Sequence, residues 1–149
     1  MSIAERTTQT IWEGPLVSGG GTLAHGSSGV LDGVPLTWAS RTEQPDGKSS
    51  PEELAAAAHS SCFAMALAMK LDENHTPPAR LDVTATVSLD AVDGVPTITA
   101  SRLKVRARVD LPAQSHAELL RFISTGRAPD GWVCQQAVVA GTQSNSTTH

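Results

Sequence analysis

Tyrosine is absent, phenylalanine occurs twice and tryptophan three times, so aromatic residues make up only 3% of this 149-residue chain. A core built without them must rely on Ala, Val, Leu, Ile and Met, which bury less area per residue, and burial against a second copy of the chain would help make up the difference. Charge is scarce too: 17% of residues are charged, the formal net charge is −4, and no stretch concentrates Lys and Arg. That balance argues against nucleic acid as a partner and for small molecules. No basic lead opens into an apolar run at the N-terminus, and no window is expected to approach the ~20 apolar residues of a membrane span. The expectation is a soluble, cytoplasmic protein with no membrane partner. Cysteine occurs only twice, as Cys62 and Cys134. In a reducing compartment such a pair more often does redox or metal chemistry than structural stapling.

The length suits one domain over residues 1–149, and no internal repeat is evident. From Thr7 to Ser40, short segments of strand character alternate with Gly-rich turns, which predicts an antiparallel meander over 1–40. Arg41 to Ser49 is polar, with Pro45 and Asp46-Gly47, and reads as a surface loop. Leu81, Val83, Ala85, Val87 and Leu89 alternate with polar residues up to Asp93-Gly94, which predicts a hairpin over 80–110. On its return strand the apolar parity switches between Ala100 and Leu103, so a bulge is expected near Ser101-Arg102. Lys104, Arg106 and Arg108 then line a solvated outer face. Ser115, Glu118, Leu119, Leu120, Phe122 and Ile123 signal a second, shorter helix within 113–140, and 141–149 reads as a disordered tail.

Between these segments lies the stretch Ser49 to Leu71, SSPEELAAAAHSSCFAMALAMKL. Ser50 caps its first turn, Pro51 sits where a missing N–H costs nothing, and Glu53 completes a Ser-x-x-Glu box, predicting a helix over 50–73 that ends with Asn74 in the left-handed cap. Apolar residues then occupy every side of the helix, as in a buried one. Cys62 shares a stripe with Leu54, Ala58, Met65 and Met69, so it is expected inside. A free cysteine there can be a small packed hydrophobe or a reactive thiol with Cys134 as a distant partner. His59, one turn before it, can act as a base or be packed and hydrogen-bonded to the backbone. A His-x-x-Cys pair can also contribute to a zinc site, although a closed site wants four ligands.

The pattern PEEL, then H-x-x-C-F-x-M-A-L, over Pro51 to Leu67 resembles the nucleophile helix of the OsmC/Ohr proteins, thiol-dependent hydroperoxide reductases. Trp12-Glu13-Gly14, Gly19 to Thr22, Ser28-Gly29-Val30-Leu31 and Ala39-Ser40-Arg41 resemble that family's N-terminal strands, and Arg80 to Val109 its central hairpin. The histidine before the cysteine and the Ser-Gly-Val-Leu segment favour the OsmC branch. The resemblance implies an α+β fold in which curved antiparallel sheets surround a long central helix and a second shorter one, in an intertwined homodimer.

It also implies a chemistry. A hydroperoxide O–O bond is broken by a thiolate, so the site needs an ionised cysteine and a donor for the departing oxygen, and a guanidinium suits both tasks. By resemblance Cys62 is the nucleophile, Arg41 the guanidinium, Glu52 its companion carboxylate and Cys134 the resolving cysteine. From the residues alone, Arg41 is an ordinary loop arginine and Glu52 a favourable charge in a helix's first turn. Ten residues of helix rise ~15 Å, so Glu52 would act by orienting Arg41 or on a second subunit. The implied partners are an organic hydroperoxide or hydrogen peroxide and a dithiol reductant such as a lipoylated protein, with no cofactor and no metal. The alternatives are a binding protein that keeps the fold without turnover, or a His/Cys metal-binding module. The family's Gly-Cys-Pro-Val-Ser is replaced here by Trp-Val-Cys-Gln-Gln around Cys134, and its apolar closing strand by GTQSNSTTH.

Overall fold

A computed structural model describes residues 1–109 and 137–139, and the chain forms two compact units, Met1–Leu54 and Ala55–His149. The second helix and the tail expected from the sequence, and Cys134, lie outside the described residues, apart from the short strand at 137–139.

In the first unit, β1 (Gln9–Glu13), β2 (Gly20–Ala24) and β3 (Pro35–Leu36) form the expected antiparallel meander in the order β1-β2-β3. Trp12 pairs with Gly21 across β1 and β2, and a Cβ on Gly21 would lie 2.8 Å from the Trp12 ring. Only glycine leaves room there for the indole to lie against the neighbouring strand. A five-residue helix, α1 (Trp38–Thr42), follows β3, where the sequence suggested the end of the meander, with Ala39-Ser40-Arg41 as strand, running into a loop from Arg41. Its warrant is Thr37-x-x-Ser40. The Thr37 hydroxyl accepts from the Ser40 N–H at 3.0 Å, and the Ser40 hydroxyl accepts from the Thr37 N–H at 3.1 Å.

Helix α2 (Pro51–Glu73), 23 residues long, fills the predicted 50–73 span from Pro51 onward, with Ser50 just before it. Ser50 caps it through the Glu53 N–H at 3.2 Å, but the Glu53 carboxylate accepts from the Ser49 hydroxyl at 2.7 Å instead of closing the box. At its other end the left-handed residue is His75 (φ 57°), one beyond the expected Asn74. Thr76 N–H then reaches the Leu71 carbonyl at 2.8 Å and His75 N–H that of Asp72 at 2.9 Å, the two bonds of a Schellman closure.

In the second unit, β4 (Arg80–Val92) and β5 (Val95–Arg108) make the predicted hairpin, with Asp93 (φ 51°) and Gly94 (φ 78°) supplying the two positive φ values of a tight turn. The expected bulge is present two residues earlier than read. Ser88 faces Ala100 and Leu89 faces Ile98, so Thr99 is the extra residue that resets the parity of β5. Strand β6 (Ala137–Val139) joins β5 in parallel, Leu103 opposite Ala137, so this sheet is not purely antiparallel. The chain between β5 and β6 is long enough for the crossover that a parallel pair requires.

Phe63, Leu67 and Leu71 of α2 pack on Leu103 and Val105 of β5, with Leu81, Val83 and Ala85 of β4 partly buried around them. Each fully buried leucine contributes about 1.5–3 kcal/mol. This phase corrects the sequence expectation: Ala58, Cys62, Met65 and Met69 are exposed in the single chain, the two methionines by 68% and 48%. A helix apolar on every side gives no sequence cue to which stripe meets the sheet. By length and composition α2 is also apolar enough to cross a membrane, contrary to the expectation, because its alanines extend the apolar run past the polar His59, Ser60 and Ser61. A core helix meets the same criterion, and the packing of its Phe63-Leu67-Leu71 stripe on a sheet is that of a core helix.

Candidate functional site

Two pieces of chain, α1 and the start of α2, are clamped together by the residues just before α2. Ser49 N–H donates to the Pro35 carbonyl at 2.9 Å and forms a parallel bridge with Leu36. Ser40, buried on α1, donates its hydroxyl proton to the Ser49 carbonyl at 2.8 Å. These bonds pin both ends of the Glu43–Lys48 segment, so Arg41, one residue after Ser40, meets Glu52, three residues after Ser49.

The Arg41 guanidinium donates through Nε to Glu52 Oε1 at 2.9 Å, and Nη2 lies 2.9 Å from the same oxygen. Glu52 is 8% exposed, and its Oε2 is buried without a hydrogen-bond partner among the described residues. The Arg41 Cζ lies 5.8 Å from the centre of the Trp38 ring, within cation–π range. Arg41 and Trp38 also line a cavity of about 330 Å³ walled by Trp12, Leu16, Leu23, Leu36 and Leu54, in which Arg41 is the one charged lining residue among those described. The structure therefore unites Arg41 with Glu52, a pairing that no spacing rule in the sequence gave. Trp38 and Ser40 were not singled out from the sequence, although Thr37-x-x-Ser40 carried the signal.

Cys62 belongs to the second unit and is an exposed free thiol. In the single chain, then, Cys62 is not part of the core that α2 makes with the hairpin, and its exposure suits a thiol that reagents can reach. His59 falls four residues before Phe63, on the stripe that meets the sheet, and its Nδ1 lies 2.6 Å from Ser101 Oγ. Burial holds its pKa below the ordinary histidine value. The ring is thus tied to a side chain of β5, where the packed reading expected a backbone partner, and it pins α2 to the hairpin next to the Thr99 bulge. Among the described residues no three of His, Cys, Asp and Glu cluster as a metal-holding group.

The lowered pKa of His59 has a testable sign. Unfolded, the ring takes a proton as pH falls through about 6.5, whereas folded it does so only at lower pH, so the stability it contributes is lost as pH drops through that window. Urea unfolding at about pH 7.5 and about pH 5.5 should show a smaller acid loss in His59→Asn than in the parent. Equal losses would remove His59 from that balance.

A sequence model of the family described as OsmC-like protein matches residues 44–128, more than half of the chain. The chain belongs to the OsmC-like family. Peroxiredoxin OsmC of Escherichia coli strain K12 is 44% identical over 101 residues, which cover 68% of this chain and 69% of that protein. Among solved structures, the organic hydroperoxide resistance protein OhrB of Bacillus subtilis superimposes with a TM-score of 0.61 at 24% identity, covering 90% of this chain and 98% of that one. An OsmC-like protein from Mycoplasma pneumoniae gives 0.65 at 12% identity, covering 95% and 100%. At those identities the structures establish the fold: a mixed α+β architecture of largely antiparallel sheets and one long helix, as in the OsmC and Ohr proteins.

Proposed function

We propose that this OsmC-like protein is a thiol peroxidase that reduces organic hydroperoxides through Cys62. The observation that carries the reading is the Arg41–Glu52 pair, a guanidinium fixed by a buried carboxylate on the helix that also bears the exposed Cys62. Relatives named peroxiredoxin and organic hydroperoxide resistance protein support it.

In the first step the Cys62 thiolate attacks one peroxide oxygen. The O–O bond breaks, the alkoxide leaves and takes up a proton to become the alcohol, and the sulfur is left as a sulfenic acid. Arg41, held by Glu52, is the donor that polarises the peroxide and stabilises the charge on the departing oxygen. Because about 15 Å of helix separates Glu52 from Cys62 along one chain, it serves the Cys62 of a second copy in the homodimer proposed below. The Cys134 thiol then condenses with the sulfenic acid, releasing water and forming a disulfide. An external dithiol, of the lipoyl type, exchanges with that disulfide, restoring both thiols and becoming oxidised itself. Such a cycle belongs in the reducing cytoplasm. The apolar walls around Arg41 favour hydroperoxides with apolar substituents over hydrogen peroxide.

A homodimer belongs to the same proposal. Met65 and Met69 leave an apolar stripe of α2 uncovered in the single chain, and a second copy packing its own α2 there would cover it. Sedimentation at micromolar concentration is expected to give a dimer, and a monomer would refute it.

The function is tested by following consumption of an alkyl hydroperoxide and of hydrogen peroxide with dihydrolipoamide as reductant. Turnover with at least about tenfold preference for the alkyl substrate is expected, since burying even a small apolar substituent is worth about 1–3 kcal/mol in a pocket. No turnover of either peroxide would overturn the reading and leave a binding protein.

A further inference from the structure

Both contacts from Arg41 to Glu52 converge on a single oxygen, Oε1: Nε donates its hydrogen bond there, and Nη2 lies 2.9 Å from the same atom as an ion-pair contact. One hydrogen bond and one ion-pair contact on a single oxygen fix the distance between the groups but leave the guanidinium plane free to turn about that oxygen, unlike a bidentate pair onto both carboxylate oxygens. The missing constraint is supplied from α1 itself. Trp38 and Arg41 are three residues apart on one helical face, and the indole lies under the guanidinium carbon at 5.8 Å. Of the three guanidinium nitrogens, Nε donates to Glu52, Nη2 stands against the same oxygen, and neither Nη1 nor Nη2 makes a hydrogen bond to another described residue. Both side chains line the same cavity.

We infer that Trp38 is a positioning residue, which fixes the plane of the Arg41 guanidinium so that its remaining donors meet the ligand in one orientation. The ring acts through its π face. An aliphatic side chain of similar bulk would fill the same wall of the cavity without holding the cation. The turnover arm of this inference rests on the peroxidase reading, but the geometric arm does not.

The test compares Trp38→Phe with Trp38→Leu in the parent and in an Arg41→Gln background. Turnover of an alkyl hydroperoxide is read beside the Arg41 Nε–H resonance of ¹⁵N-arginine-labelled protein. Trp38→Leu is expected to lower kcat about three- to tenfold with a smaller change in KM, the range of a partly desolvated cation–π contact. Trp38→Phe should keep most of the parent rate. In the Arg41→Gln background Trp38→Leu should cause no further loss. The Nε–H resonance should lose its ring-current shift in Trp38→Leu and keep part of it in Trp38→Phe. Equal losses in the two variants, an undiminished loss without Arg41, or an unmoved Nε–H resonance would overturn the inference. If Trp38→Leu does not fold, Trp38→Phe in the two backgrounds decides, because its smaller loss must vanish when Arg41 is gone. If the parent does not turn over peroxide, the peroxidase reading fails, and the resonance alone decides the role of Trp38.

Discussion

Cys62→Ser is expected to bring hydroperoxide consumption down to the uncatalysed rate while leaving thermal unfolding at the parent's midpoint. The attacking species is a thiolate, whose polarisable sulfur is a far stronger nucleophile toward a peroxide oxygen than a serine hydroxyl. The exposure of Cys62 is what separates the two halves of this prediction. A near-isosteric change at a position exposed in the single chain usually shifts stability by no more than about 0.5 kcal/mol, so loss of activity with the midpoint unchanged could not be blamed on loss of fold. Near-parent turnover by the serine variant would remove Cys62 as the nucleophile. A shared loss of activity and fold would mean that a partner surface buries the side chain more tightly than the single chain does.

The second large effect falls on Arg41. Arg41→Lys keeps the charge but replaces a planar fork with a point charge on a flexible stem, and one ammonium cannot hold Glu52 Oε1 while also presenting fixed donors to a peroxide. A loss of about a hundredfold in kcat/KM is expected, the scale of removing one preorganised donor from a site. Arg41→Met should in addition cost about 3 kcal/mol of stability, because it strands the Glu52 carboxylate, which is nine-tenths buried. Stopped-flow peroxide consumption and urea unfolding read the two effects. Unchanged peroxide kinetics in Arg41→Lys would take Arg41 out of the chemistry and leave the pair as structure only.

How much of this could be read from the sequence depended on whether a pattern had a phase. The hairpin β4/β5 was legible because alternation with period two fixes which residues face in, and Asp93-Gly94 fixes the turn. The parity switch on β5 even revealed the bulge, although the residue left over is Thr99 and not one near Ser101. The capped start of α2 was legible for the same reason. Its orientation was not, since Leu54, Ala58, Met65 and Met69 are as apolar as the Phe63, Leu67 and Leu71 stripe that meets the sheet. That is why Cys62 was expected inside and is found exposed. Helix α1 is too short for any periodicity, and only its Thr37–Ser40 box announced it. The meeting of Arg41 with Glu52 depends on Ser40 reaching the Ser49 carbonyl, a bond between two polar residues with nothing in the sequence to couple them. The resemblance supplied that pair, and the geometry explains how the chain makes it.

Peptide mass spectrometry of the reduced protein after one equivalent of an alkyl hydroperoxide tests the central claim most directly. The account expects one oxygen added at Cys62 at early times, followed by loss of water as the sulfenic acid condenses with Cys134, and sulfinic Cys62 as peroxide exceeds protein. Recovery of Cys62 as an unmodified thiol, with the peroxide unconsumed, would contradict it.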